Sequence, residues 1–201
     1  MSYVDTPMSK LEAVNICLRA IGQTTVTTLD DPWPDVESAI QIVDDTSREL
    51  QARGWHWNKE KIYLSPDDEG FIQLPANTAT VDTVDEHKYM NLVQRGTRLY
   101  NLDTNTFVFT NRVRVQITYL FAFEELPLLA RIYIANSSAV ILQEDQLGSD
   151  SVDKKLVRRL NKAWVDLMRD SNRNGDHNML KDSWSVQGAL SRHWFRRGAY
   201  S

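Results

Sequence analysis

Four adjacent carboxylate pairs, Asp30/Asp31, Asp44/Asp45, Asp67/Asp68 and Glu124/Glu125, are the first candidates for chemistry in this chain. A glycosidase needs two carboxylates on opposite sides of the scissile bond, and neighbours along the chain do not supply that geometry. The pairs therefore read as solvated surface charge. Trp55-His56-Trp57 could stack on a sugar or a base. It follows a helix-ending glycine and precedes a strand, so packing at a helix–sheet junction is the simpler reading. Asp170, Asn172, Asn174, Gly175, Asp176 and Asn178 match positions 1, 3, 5, 6, 7 and 9 of a calcium loop. Position 12 holds Lys181 where a bidentate glutamate belongs, and Arg173 would also repel a cation. A polar helix end, where Asn and Gly adopt the left-handed conformation cheaply, accounts for the same residues. The four histidines, at 56, 87, 177 and 193, have no i,i+4 partner, and the single Cys17 excludes an internal disulfide or a multi-cysteine site. No Gly-rich phosphate loop, metalloprotease helix or nucleophile elbow is present. The chain calls for no catalytic residue, no cofactor and no metal.

The elements that would carry these residues are legible in the periodicity. Ser9 and Glu12 form a capping box, Leu11, Val14, Leu18 and Ile21 follow at helical spacing, and Gly22 is placed to end the helix. Pro32 or Pro34 starts a second helix, whose stripe of Val36, Ile40, Val43 and Leu50 runs to Gly54. The opposite face carries Asp35, Glu37, Asp44, Asp45 and Glu49. From Trp55 to Tyr119 the period changes to two. Strands are expected over 61–64, 89–93, 106–109 and 112–119, separated by turn formers such as Pro75-Ala-Asn and Arg95-Gly. In the last of them Val113, Val115, Ile117 and Tyr119 alternate with Arg112, Arg114, Gln116 and Thr118, a pattern for a strand buried on one side only. Helical spacing returns after Glu124-Glu-Leu-Pro127, over 128–147 and then 151–170 with Ser151 as cap. After Gly175 the chain is polar and reads as extended, ending in Trp184, Trp194, Phe195, Arg196 and Arg197. Helices segregated from an antiparallel sheet define an α+β fold. The expected division is a helical bundle from residues 1–54 and 124–182, an inserted β domain at 55–123 and a C-terminal tail at 183–201.

Composition bounds the class. The chain is 42% hydrophobic, 25% charged and contains nineteen aromatic residues, enough apolar surface for a folded core rather than a disordered chain. The longest uncharged apolar-rich stretch, 132–142, is too short to cross a bilayer, and the N-terminus lacks the basic and apolar regions of a signal peptide. The net charge of −4 conceals an asymmetry. Residues 1–50 hold nine acids and three bases, residues 51–149 twelve and nine, and residues 150–201 six and eleven. An acidic front and a basic rear can steer a chain toward copies of itself or toward an acidic partner, although two solvated helical faces would look the same.

Leu11-Glu-Ala-Val-Asn-Ile16, Ala20-Ile-Gly22, Thr28-Leu29-Asp30 and an acidic helix ending Gln51-Ala-Arg-Gly-Trp55-His-Trp-Asn58 carry a family resemblance. It continues through Ile62-Tyr-Leu-Ser-Pro66, Glu124-Glu-Leu-Pro127 and Asn178-Met-Leu180, and fades beyond Leu180. In these residues the chain resembles the tail tubular protein A family, head-to-tail adaptors of short-tailed, tubular-tailed bacteriophages. The resemblance implies a structural virion protein of the tail, assembled in the host cytoplasm, with a helical bundle and an inserted β domain. It further implies a homo-oligomeric ring of twelve copies beneath the portal protein. Such a ring holds the nozzle protein (tail tubular protein B), helps to seat tail fibres, and lets DNA pass without specific recognition.

A ring closed head to tail uses two different faces of each subunit, and opposite charge on them favours closure. The expected subunit interface joins Asp35, Glu37, Asp44 and Asp45 to Lys154, Lys155, Arg158 and Arg159 of a neighbour. Trp184, Trp194, Phe195, Arg196 and Arg197 are the expected portal-docking residues. Two other classes compete. A virion-associated glycan or peptidoglycan hydrolase would use the carboxylates with Trp55 and Trp57, and a DNA-binding module would use the basic stretch 154–197 with salt-dependent affinity. Against the second stand the acidic whole chain, with pI 5.6, and the lack of a recognisable reading motif.

Overall fold

The computed structural model describes residues 7–148 and 153–182, with the backbone alone over 175–182. Helix α1 spans Lys10–Ala20. The Glu12 amide donates to Ser9 Oγ at 3.2 Å and the Ser9 amide to Glu12 Oε2 at 2.8 Å, closing the capping box. At the other end Gly22 takes φ +79°, and the Gln23 amide reaches back to Leu18 O at 2.9 Å. That 6→1 bond and positive φ stop the helix as the sequence requires. Helix α2 spans Pro34–Ala52, with Trp33 as N-cap and Pro34 at the first helical position. It ends at Gly54, φ +72°, where an added Cβ would meet Lys59 Cε at 2.1 Å.

Strand β1, Lys59–Leu64, follows at once. It pairs antiparallel with β5, Val113–Tyr119, and β5 pairs antiparallel with β2, Thr78–Thr83, giving the order β1-β5-β2. Strands β3, Leu92–Arg95, and β4, Arg98–Asn101, form a separate hairpin. The expected strand at 89–93 therefore begins later. The expected strand at 106–109 is replaced by isolated bridges, Asn101 to Thr106 and Phe71 to Val108. Strand β5 departs from one-sided burial at its end. Thr118 is buried and Tyr119 half-buried, because the strand there runs beneath the α2 terminus, with Thr118 Oγ1 close to Gly54.

Helix α3, Leu128–Leu147, buries Ala130, Ile134, Ala135, Ser138, Ala139 and Leu142. It packs against α1, α2 and α4, and small residues let three helices approach one. Helix α4 runs from Lys154 to Asp182. Ser151 lies outside the described residues; Asp153 occupies the capping position, its carboxylate accepting from the Lys155 amide at 2.8 Å. The expectation of extended chain after Gly175 fails up to Asp182. The segment contains no proline, and isolated Asn and Gly cost a helix only about 1 kcal/mol each relative to Ala.

Among the described residues four α-helices with antiparallel sheets make the fold α+β. Apolar burial forms one cluster among the helices, including Val14, Leu18, Val43, Ile134 and Leu167, and another on the sheet, including Ile72, Leu99, Val115 and Ile117. Among the described residues no helix is long and apolar enough to cross a membrane.

Candidate functional site

The helix–sheet junction is built from residues 51–58. Asn58 Oδ1 accepts from the Trp55 amide at 2.6 Å, while its Nδ2 donates to Gln51 O at 2.9 Å and Tyr119 O at 2.8 Å. Gln51 in turn donates to Phe121 O at 3.1 Å and accepts from the Phe121 amide at 2.7 Å. Both amides are buried, so α2, β1 and the end of β5 are clasped together. Trp55 is only 6% exposed, and its indole N–H is spent on Leu50 O at 2.7 Å. It stacks on Trp57 at 6.4 Å and meets the edge of Trp164 at 6.0 Å. The pair is a packing wall and presents no stacking platform to a sugar.

In three of the four carboxylate pairs at least one member is held by a partner within the chain. Asp67 Oδ1 accepts from the Glu69 and Phe71 amides, Glu124 Oε1 from the Lys10 amide, and Glu125 Oε2 from the Ala122 amide. The calcium-like segment Asp170–Asp182 lies in α4, where a helical backbone fans alternate residues around the axis instead of converging them on an ion. Asp170 pairs with Arg173 at 2.9 Å. Among the described residues no group of three or more His, Cys, Asp or Glu is placed to hold a metal.

The two charged flanks differ in how far they are satisfied. On α2, Asp44 lies 2.7 Å from Lys10 Nζ, Asp35 accepts from Gln146 at 3.0 Å, and Asp45 pairs with Arg48. Glu37 and Glu49 are exposed. On α4, Lys154, Lys155, Arg158, Arg159 and Lys162 are all exposed, and among the described residues none of them forms an ion pair. The same helix pairs Arg169 with Asp166 further on, so carboxylates are missing only from its opening stretch, 154–165. Trp184, Trp194, Phe195, Arg196 and Arg197 lie outside the described residues.

Sequence reasoning missed two polar centres. Arg131 is 7% exposed, yet it binds backbone carbonyls alone: Leu126 O at 2.7 Å, Met8 O at 2.9 Å and Glu124 O. A lone arginine inside the apolar run of α3 was the available signal. The other centre joins β1, β5 and the 3₁₀ turn Asp85–His87. Tyr63 donates to Glu86 Oε1 at 2.7 Å, which holds that carboxyl below its usual range. Arg114 pairs with Asp85 at 3.1 Å, and its amide donates to His87 Nδ1 at 3.1 Å. These contacts fix a turn whose Asp85 adopts φ +54°.

What remains is a scaffold with one unneutralised helical flank and no assembled catalytic constellation among the described residues. The family model for tail tubular proteins matches residues 11–177. The chain belongs to that family. It is similar to the tail tubular protein A of Klebsiella phage KP34, with 29% identity over 145 residues that cover 72% of this chain and 76% of the relative. The family is structural, so this tail tubular protein is a structural component of a bacteriophage tail and not an enzyme.

Proposed function

We propose that this tail tubular protein is the adaptor subunit between portal and tail nozzle. Twelve copies close a ring that continues the DNA channel, holds the nozzle protein and helps to seat tail fibres, after assembly in the host cytoplasm. DNA passes through without base-specific recognition. Residues 1–54 and 124–182 act as the helical bundle, 55–123 as the inserted β domain, and 183–201 as a tail that docks on the portal through Trp184, Trp194, Phe195, Arg196 and Arg197.

The observation that carries this reading is the unpaired basic flank of α4. Five exposed cations with no carboxylate partner among the described residues are well placed for an acidic neighbour. The acidic residues of α2, Asp35, Glu37, Asp44 and Asp45, supply that neighbour in a second copy. Internal partners already hold three of the four, which leaves Glu37 as the least committed.

The mass of the purified protein, alone and mixed with portal, tests the ring. A discrete twelve-fold species is expected, and K154E/K155E/R158E/R159E should remain monomeric. A wild-type chain that stays monomeric even with portal, or a charge-reversed chain that still closes the ring, contradicts the reading. Deleting residues 183–201 should abolish portal binding while leaving the helical circular dichroism of the rest intact.

A further inference from the structure

Trp33 is 60% exposed, although an indole is among the most valuable side chains to bury. Pro32 and Pro34 flank it and stiffen the backbone there, and Asp31 and Asp35 stand on either side. It borders a notch of about 200 Å³, also lined by Thr24, Thr25 and Asp31, in which Asp31 Oδ1 is shielded from solvent without a hydrogen-bond partner among the described residues. On another side of α1, a hollow of about 380 Å³ opens between that helix, α3 and the start of α4. Ile16, Ala20 and Leu156 give it apolar surface, and Arg19 and Arg159 stand at it. Neither guanidinium forms an ion pair among the described residues; Asp153, which also lines the hollow, has its carboxylate accepting from the Lys155 amide.

We propose that Trp33 of one subunit enters the Arg19/Arg159 hollow of the next, with Asp31 and Asp35 facing the two guanidinia. The inference rests on the ring proposed above and names its contact. The chemistry matches group by group: an indole against apolar side chains and under a guanidinium, and carboxylates against unpaired arginines. Knob and hollow are different patches of one chain, so joining them is a head-to-tail contact, the kind that closes a ring. Buried tryptophan and arginine are also the residue types that most often dominate an interface.

Cross-linking tests the contact without touching the five residues that make it. Pro32→Cys and Asn136→Cys, combined in one chain and assembled with portal, place thiols beside knob and hollow. Treatment with a short bismaleimide should give a ladder of covalent multimers reaching twelve, absent from either single variant. Cys17 is buried and contributes no background. Rings confirmed by mass that give no ladder, because the chain's own C-terminal tail or solvent fills the hollow, overturn the contact while leaving the ring standing. Trp33→Ala should raise the protein concentration needed for assembly at least about tenfold, with helical content unchanged. Assembly at the wild-type concentration overturns the proposal, and failure of the wild type to form rings at all overturns the ring itself.

Discussion

Cys17 is the one thiol of the chain and lies in the helical core, where burial pushes its pKa up from 9.0 to about 12. Desolvation penalises the thiolate and not the thiol, so the folded chain holds the proton more tightly than the unfolded chain. Stability from this group is therefore complete below pH 9 and is lost as pH rises toward about 12, at no more than about 1.4 kcal/mol per pH unit. Cys17→Ala removes the titration, so wild type should lose more stability than the variant between pH 9 and pH 11 in matched urea denaturations. At pH 8 the native thiol should react with a disulfide reagent only at the rate of unfolding. Rapid labelling of the folded chain would show that the helical core opens locally. Arg131 poses the opposite problem at the same scale. Its charge is kept in the interior by backbone carbonyls rather than by a carboxylate, so it fastens the entry to α1 and the turn before α3 without creating an ion pair.

At the scale of elements, the clasp of Gln51 and Asn58 decides how the helices meet the sheet. Asn58→Ala would leave the Trp55 amide and the carbonyls of Gln51 and Tyr119 without that partner, in a buried setting. Each orphaned group costs about 1–3 kcal/mol, so a loss of about 3 kcal/mol and a Tm lower by about 6–12 °C are expected in calorimetry. Asn58→Asp sets a buried carboxylate oxygen against two carbonyl acceptors and should lower Tm at least as far as Asn58→Ala; equal Tm values for wild type and Asn58→Ala would show that the clasp is dispensable. The local half of this geometry was legible beforehand. Ser9, Glu12, Gly22, Pro34 and Gly54 act through neighbours a few residues away, and each does what its type dictates. The partners of Asn58 and Arg131 lie up to 61 and 123 residues away, and no periodicity encodes them. Strand β2 was overlooked because its only large apolar residue is Val81, although four of its six residues are β-branched. As an edge strand beside β5 it needs little apolar surface. The calcium-like segment misled for a related reason. Asn, Asp and Gly favour loops by mechanism, but within a long helix each costs too little to break it.

For the whole molecule, the sequence-level asymmetry became more one-sided once the partners were visible. Three of the four acidic candidates on α2 are tied down within the chain, and the five cations that open α4 are not. A surface of this kind acts first on encounter: like-signed fields keep wrong faces apart, and opposite ones orient the right faces before contact. A Trp33 anchor acts later, by resisting separation, and depends little on ionic strength. The two contributions should therefore separate with salt. Raising NaCl from about 0.1 M to about 1 M shortens the Debye length from about 10 Å to about 3 Å and should slow ring formation at least about tenfold. Rings already closed should persist, because their apolar contacts are not screened. Light scattering during assembly and the mass of preformed rings after dilution into salt measure the two quantities independently. Assembly that is equally fast at both salt concentrations would remove the flanks from the encounter step, and closed rings that fall apart in high salt would make them, and not an apolar anchor, the grip between subunits.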